Sequence, residues 1–139
     1  MNERPDIYGY SDYREFLRDL FAYLKKRKRA FSFRFFSKEA GFSSPSTLKL
    51  VMDGKRNLTL ESVGKFSRGL GLSKSEADFF SALVRFNQAQ TTEEKSEHFQ
   101  TMAKSDRFRK VRQIEHDQFE YFSHWYHPAI REMIALRSF

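Results

Sequence analysis

Residues 40–62 read AGFSSPSTLKLVMDGKRNLTLES, and the punctuation of this polar stretch decides the fold. Ser43 or Ser44 is placed to cap a helix, and Pro45 fits the first turn, where a missing N–H costs nothing. Leu48 and Val51 supply a buried pair, while Ser46 and Lys49, three apart, lie on another face. Gly54 ends the helix, with Lys55 and Arg56 directly after it. Thr59 then caps a further helix whose inward side is Leu60, Val63, Phe66 and Leu70, closed by Gly69 and Gly71.

Upstream, in SFRFFSKEAG (32–41), Ser32 caps a short helix and Gly41 stops it in the left-handed conformation. Phe33, Phe36 and Ala40 share an inward face, Phe35 points elsewhere, and Arg34 and Lys38 share a polar face. Two short helices joined by a tight glycine turn, the second opened by small hydroxyl residues, form the layout of a helix-turn-helix. Small side chains let that helix end approach a duplex, and basic residues beyond it hold phosphate.

Before this motif, Tyr13, Phe16, Leu17, Leu20, Phe21 and Leu24 recur at the spacing of a helix buried on one face, read from 12 to 28 with Ser11 as its N-cap. It ends in the run Lys25 to Arg29, whose cations complement the helix dipole and either meet phosphate or stay solvated. After it, SKSEADFFSALVRFNQAQ opens on a capping box, Ser73 with Glu76, and sets Phe79, Phe80, Leu83, Val84 and Phe86 on an apolar arc. Thr91 and Glu94 repeat the capping pattern before a mostly polar helix, expected to project from the body or pair with another copy. Through residues 106–115 the register weakens, and alternating basic and apolar residues there fit a short strand or an extended linker.

From Phe31 to Ser73 the chain resembles the Cro/repressor-type (XRE-like) helix-turn-helix fold, on FSKEAGFS, SPSTLKLVMDGKRN and LTLESVGKFSRGLGLS. With YSDYREFL, LVRFNQAQT and FEYFSHWYHPAIRE, the whole chain is similar to a paralogous family of bacterial proteins that carry this module before an uncharacterised second domain. The resemblance implies DNA-binding regulation. By position, Ser44 and Ser46 fall where such proteins open the recognition helix (about 44–53) against base edges, Thr47 and Lys49 follow, and Lys55 with Arg56 matches the backbone-clamping segment. The chain departs from the pattern by one inserted residue between Gly41 and the helix, and by Leu50 where a base-reading polar residue often stands. No side chain there offers a bidentate contact to guanine or adenine.

Composition bounds the rest. The 139 residues carry a formal net charge of +7 and no cysteine, which removes disulfides and thiolate chemistry. Residues 1–73 hold 15 Lys+Arg against 8 Asp+Glu, so the whole excess lies there and points to a polyanion partner. The 16 phenylalanines, at helical spacing, read as core. His116, Glu120, His124 and His127 align on one helical face and could ligate zinc or iron. A single helix cannot wrap a tetrahedral ion, however, and surface or capping histidines are the reading taken. Phe119, Phe122, Trp125 and Tyr126 form an apolar seam, and a helix after Pro128 carries Ile130, Met133 and Ile134. A helix that begins a seam at the chain's end leads to the expectation of a homodimer.

The expected protein is all-α: a Cro/repressor-like helix-turn-helix bundle over 1–73, extended by carboxy-terminal helices over 74–139. It is expected to be cytoplasmic, with double-stranded DNA as partner, no membrane, no cofactor, no metal and no catalytic residues. The rival reading is a protein-interaction adaptor. One continuous basic face of Arg34, Lys38, Lys49, Lys55 and Arg56 favours DNA, whereas interruption by Leu50 and Phe35 favours a protein.

Overall fold

The computed structural model describes residues 3–113, and every regular element among them is helical. After a single 3-10 turn at Ile7–Gly9 come α1 (Tyr13–Arg27), α2 (Phe33–Ala40), α3 (Thr47–Met52), α4 (Leu60–Leu70), α5 (Lys74–Gln88) and α6 (Thr92–Ala103). Residues 106–113 are helical too and are called α7 here. The histidine-bearing stretch around His116, the seam around Trp125 and the helix expected after Pro128 lie outside the described residues. No helix among the described residues is long and apolar enough to cross a membrane.

Helix starts follow the capping chemistry of the sequence. Ser32 accepts the Phe35 N–H, Thr59 the Ser62 N–H, and Ser73 with Glu76 closes a full capping box. At α1 the cap is Asp12 rather than Ser11, its carboxylate accepting the Arg14 N–H. Ser11 instead gives its carbonyl to the Asn87 side chain at 2.8 Å.

The α2 and α4 helices end alike. Gly41 (φ 87°) and Gly71 (φ 70°) adopt the left-handed conformation, returning their N–H groups to Ser37 and Ser67, while Phe42 and Leu72 do the same from one residue on. The two helices pack tightly, with the Phe36 and Phe66 rings edge to face at 5.0 Å and Arg68 donating to the Ala40 carbonyl at 3.0 Å. Gly69, expected to help close α4, lies inside it and makes that approach possible. A Cβ there would stand 2.8 Å from Ala40 Cβ and from Phe36 Cε1.

The core is one continuous cluster running from Ile7 to Phe108, and α5 contributes Phe79, Phe80, Ala82, Leu83 and Val84 to it. It therefore crosses residue 73, where the sequence divides by charge. Four chains of rings account for much of the phenylalanine content: Tyr10–Phe16–Phe80, Phe36–Phe42–Phe66, Phe33–Phe21–Phe31–Phe35, and Phe79–Phe108–Phe99–Phe86. The mostly polar α6 neither projects nor stands alone. It folds back along α5, anchored by buried Met102 and by Phe99 against Phe86.

Residues 106–113 overturn the expectation of a strand or linker. The Ser105 hydroxyl accepts the Phe108 N–H, and Phe108 is buried against Phe79 and Phe99. The alternating pattern hid a short helix held by one deeply buried ring. Leu60, expected inward, is 65% exposed at the rim of an open groove of about 350 Å³ that Val63, Val84, Arg85 and His98 also line. As the first residue of α4 it precedes the turn on which the buried stripe begins.

Candidate nucleic-acid interface

The segment from α2 to the start of α4 carries all eight residues singled out from the sequence. Arg34 and Lys38 are exposed on α2, four apart on one face. Ser44 and Ser46 open α3, which begins at Thr47 rather than at 44. The N-cap is Ser46, which makes no side-chain capping bond, and not Ser43 or Ser44 as expected; the Ser44 hydroxyl accepts the Ser46 N–H at 3.3 Å in the preceding turn and lies 2.9 Å from the Ser46 hydroxyl. Pro45 sits in the turn between them, and the Leu50 N–H reaches the Ser46 carbonyl to begin the ladder.

Thr47 is only 7% exposed, and its hydroxyl turns back to the Ser44 carbonyl at 3.4 Å. Its side chain therefore fastens the turn from beneath. Ser46 and Lys49 face outward, and Leu48 and Val51 are fully buried. The Lys49 ammonium pairs with Asp53 at 3.2 Å along the exposed face. Gly54 (φ 79°) turns the chain after α3, and the Lys55 N–H returns to the Leu50 carbonyl at 2.9 Å. That closing turn leaves Lys55 and Arg56 exposed at the carboxy end of the helix.

Two arginines of α1, not singled out from the sequence, hold this carboxy end. Arg14 donates to the carbonyls of Val51 and Arg56 and, at 2.7 Å, to Asn57 Oδ1, and Arg18 donates to the Met52 carbonyl at 2.8 Å. Cations at the last carbonyls of a helix meet the negative end of its dipole, so these contacts are charge-assisted. Arg14 also lies over the Tyr13 ring at 4.8 Å. Burial raises the Tyr13 phenol above its ordinary pKa, and Arg14 works against that rise.

The other side of the loop is held by α5. The Gln88 amide donates to the Leu58 carbonyl and accepts the Leu58 N–H, both at 2.9 Å, as a neighbouring strand would. The same Gln88 oxygen accepts the Tyr13 hydroxyl at 2.8 Å, and Asn87 accepts the Tyr13 N–H at 2.7 Å. The segment bearing Lys55 and Arg56 is thus strung between α1 and α5. Neither hold has a local signal, because the partners lie 30 to 75 residues apart along the chain.

Phe35 is half-buried beneath the Lys28 ammonium, 4.4 Å from its ring centre, and Leu50 is half-buried on α3. Among the described residues, the site and fold together define an all-helical unit that displays a short, firmly held helix flanked by cations. Comparison with known protein families, with characterised proteins and with solved structures gives no match for this chain.

Proposed function

We propose that this chain is a DNA-binding transcriptional regulator of the Cro/repressor-like helix-turn-helix kind, with α2 and α3 as the motif. The observation that carries the reading is the presentation of α3. Its inner face is locked into the core by Leu48 and Val51, its end is clamped by Arg14 and Arg18, and Ser46, Lys49, Lys55 and Arg56 are exposed, with Ser44 half-buried beside Ser46. A rigid helix with a small-residue end and cations after it suits entry into a major groove with phosphate contacts at the margins. In this reading Ser44 and Ser46 approach base edges, and Thr47 supports the turn without touching DNA. Lys55, Arg56, Arg34 and Lys38 contact phosphate. Lys49 exchanges Asp53 for a phosphate oxygen on binding.

The rival is a protein-docking module, supported by one feature: α3 offers neither arginine, asparagine nor glutamine to read a base with paired hydrogen bonds. Selection from a mixed duplex library across a salt series separates the two, with Lys49→Glu and Lys55→Glu/Arg56→Glu as variants. Enrichment of one sequence, a steep salt dependence and loss of binding in the variants are the expected results. Duplex binding that the charge reversals leave unchanged, or none near physiological salt, would move the search to protein partners.

A further inference from the structure

We propose that the corner where α1 ends and α2 begins is a second phosphate-binding site, which supplies most of the chain's sequence-independent affinity for duplex DNA. The inference rests on the DNA-binding reading and adds five cations, Lys25 to Arg29, to Arg34 and Lys38, which that reading already sets against phosphate.

Between Asp19 and Glu39 the chain carries Lys25, Lys26, Arg27, Lys28, Arg29, Arg34 and Lys38 and no carboxylate. These seven charges equal the formal net charge of the whole molecule, +7, so everything else cancels. All seven are exposed, and none forms an ion pair among the described residues, whereas Lys49 on α3 is already neutralised by Asp53. Uncompensated like charges at one corner repel one another, and binding a polyanion removes that cost and releases its condensed counterions.

The corner is also built rather than merely charged. The Phe21 and Phe33 rings stack at 4.3 Å across the turn, and Phe31 bridges Phe21 and Phe35. Lys28 lies over Phe35 at 4.4 Å, Arg27 over Tyr23 at 5.6 Å and Lys25 over Phe21 at 5.9 Å, so rings steer the cations while their donors stay open. The amino end of α2 lies in the same corner. Ser32 takes the Phe35 N–H, while the N–H groups of Phe33 and Arg34 precede the helical ladder and add positive partial charge.

Reach decides whether one duplex can use both places. Arg18 holds the carboxy end of α3, and Lys25 follows on the same face of α1, about 10 Å along the axis at 1.5 Å per residue. The major groove is roughly 12 Å wide. In this proposal a duplex seated on α3 lays a phosphate strand along this corner, the two lengths being of one order. A membrane surface fits less well, because Phe21 and Phe31 are buried and the half-buried Phe35 is capped by a cation, leaving no apolar wedge to insert.

The test is a salt series on the full chain with a duplex of mixed sequence, using Lys25→Gln/Lys26→Gln/Arg29→Gln, which spares Arg27 and Lys28, the two cations nearest their rings. The expected slope of log affinity against log salt falls by about 2 to 3, at roughly 0.9 per lost phosphate contact. Affinity drops by the same factor on every sequence, so library rank order is preserved. The charge-preserving control Lys25→Arg/Lys26→Arg keeps the wild-type slope. Wild-type binding with an unchanged slope in the glutamine variant overturns the corner and leaves the DNA reading intact. Failure of the wild-type chain to bind any duplex overturns that reading itself. Tighter binding to phosphatidylserine vesicles than to duplex also overturns the proposal, reassigning the corner to a membrane.

Discussion

Two glycines of α4 carry opposite expectations although both stand in a helix interior. A methyl group at Gly69 would lie 2.8 Å from two groups of the core, Ala40 Cβ and a Phe36 ring carbon, and Phe36 is fully buried with no room to yield. Gly69→Ala is expected to destabilise by about 1–3 kcal/mol despite the better helix propensity of alanine. At Gly64 nothing lies within 4 Å of the added carbon, so Gly64→Ala is expected to stabilise by about 0.5–1 kcal/mol. Urea unfolding of the pair measures both signs at once. Equal shifts would mean that the contact between α2 and α4 is looser than its geometry.

Tyr10 gives a residue its own pH signature. Burial, and then its 2.6 Å hydrogen bond to Asp19, raise the phenol well above the ordinary 10.0, and the Tyr8 and Tyr13 phenols are raised as well, burial again leading. Above pH 10.0 the unfolded chain loses these protons first and binds fewer than the folded one, so stability falls as pH rises. Below that pH the groups are protonated in both states and contribute no slope. Tyr10→Phe is expected to flatten the alkaline fall in melting temperature without abolishing it, since Tyr8 and Tyr13 remain. An unchanged alkaline slope would place the pH sensitivity elsewhere.

Elements carry the interface through contacts that no single helix owns. Gln88, near the end of α5, satisfies both backbone groups of buried Leu58 and the Tyr13 hydroxyl together. Gln88→Ala strands those groups and is expected to cost about 1–3 kcal/mol. It should also raise amide hydrogen exchange across residues 55–58 while leaving α2 unchanged. Uniform acceleration in every helix would instead mean that Gln88 supports the whole fold and not the loop. The contrast explains what could be read in advance. Ser32, Thr59, Ser73, Gly41 and Gly54 act on backbone groups within a few residues, so their chemistry is visible as local pattern. Asn87, Gln88, Arg14 and Arg18 act on partners brought near only by folding, and residues 106–113 owe their helix to Phe108 meeting Phe79 and Phe99. Leu60 misled for the converse reason: its spacing matches the buried stripe, but the helix begins there before a neighbour covers it.

At the scale of the molecule, the charge of the chain divides at residue 73 while its core does not. All the net positive charge lies before that point, yet Phe79, Phe80, Leu83 and Val84 of α5 are buried in the same cluster as α1 and α4. At about 1.5–3 kcal/mol for each large side chain, their burial amounts to roughly 6–12 kcal/mol. That is as large as the net stability of a typical domain, about 5–15 kcal/mol. Removing α5 also strips Asn87 and Gln88 from the start of α1 and from the loop that bears Arg56. A chain ending at Ser73 is therefore expected to show weak helical circular dichroism and no cooperative melt, and to lose any duplex binding the full chain shows, although every candidate contact residue is retained. A cooperative transition in the truncated chain would instead make residues 1–73 a self-sufficient unit, with α5 packed on a core that closes without it.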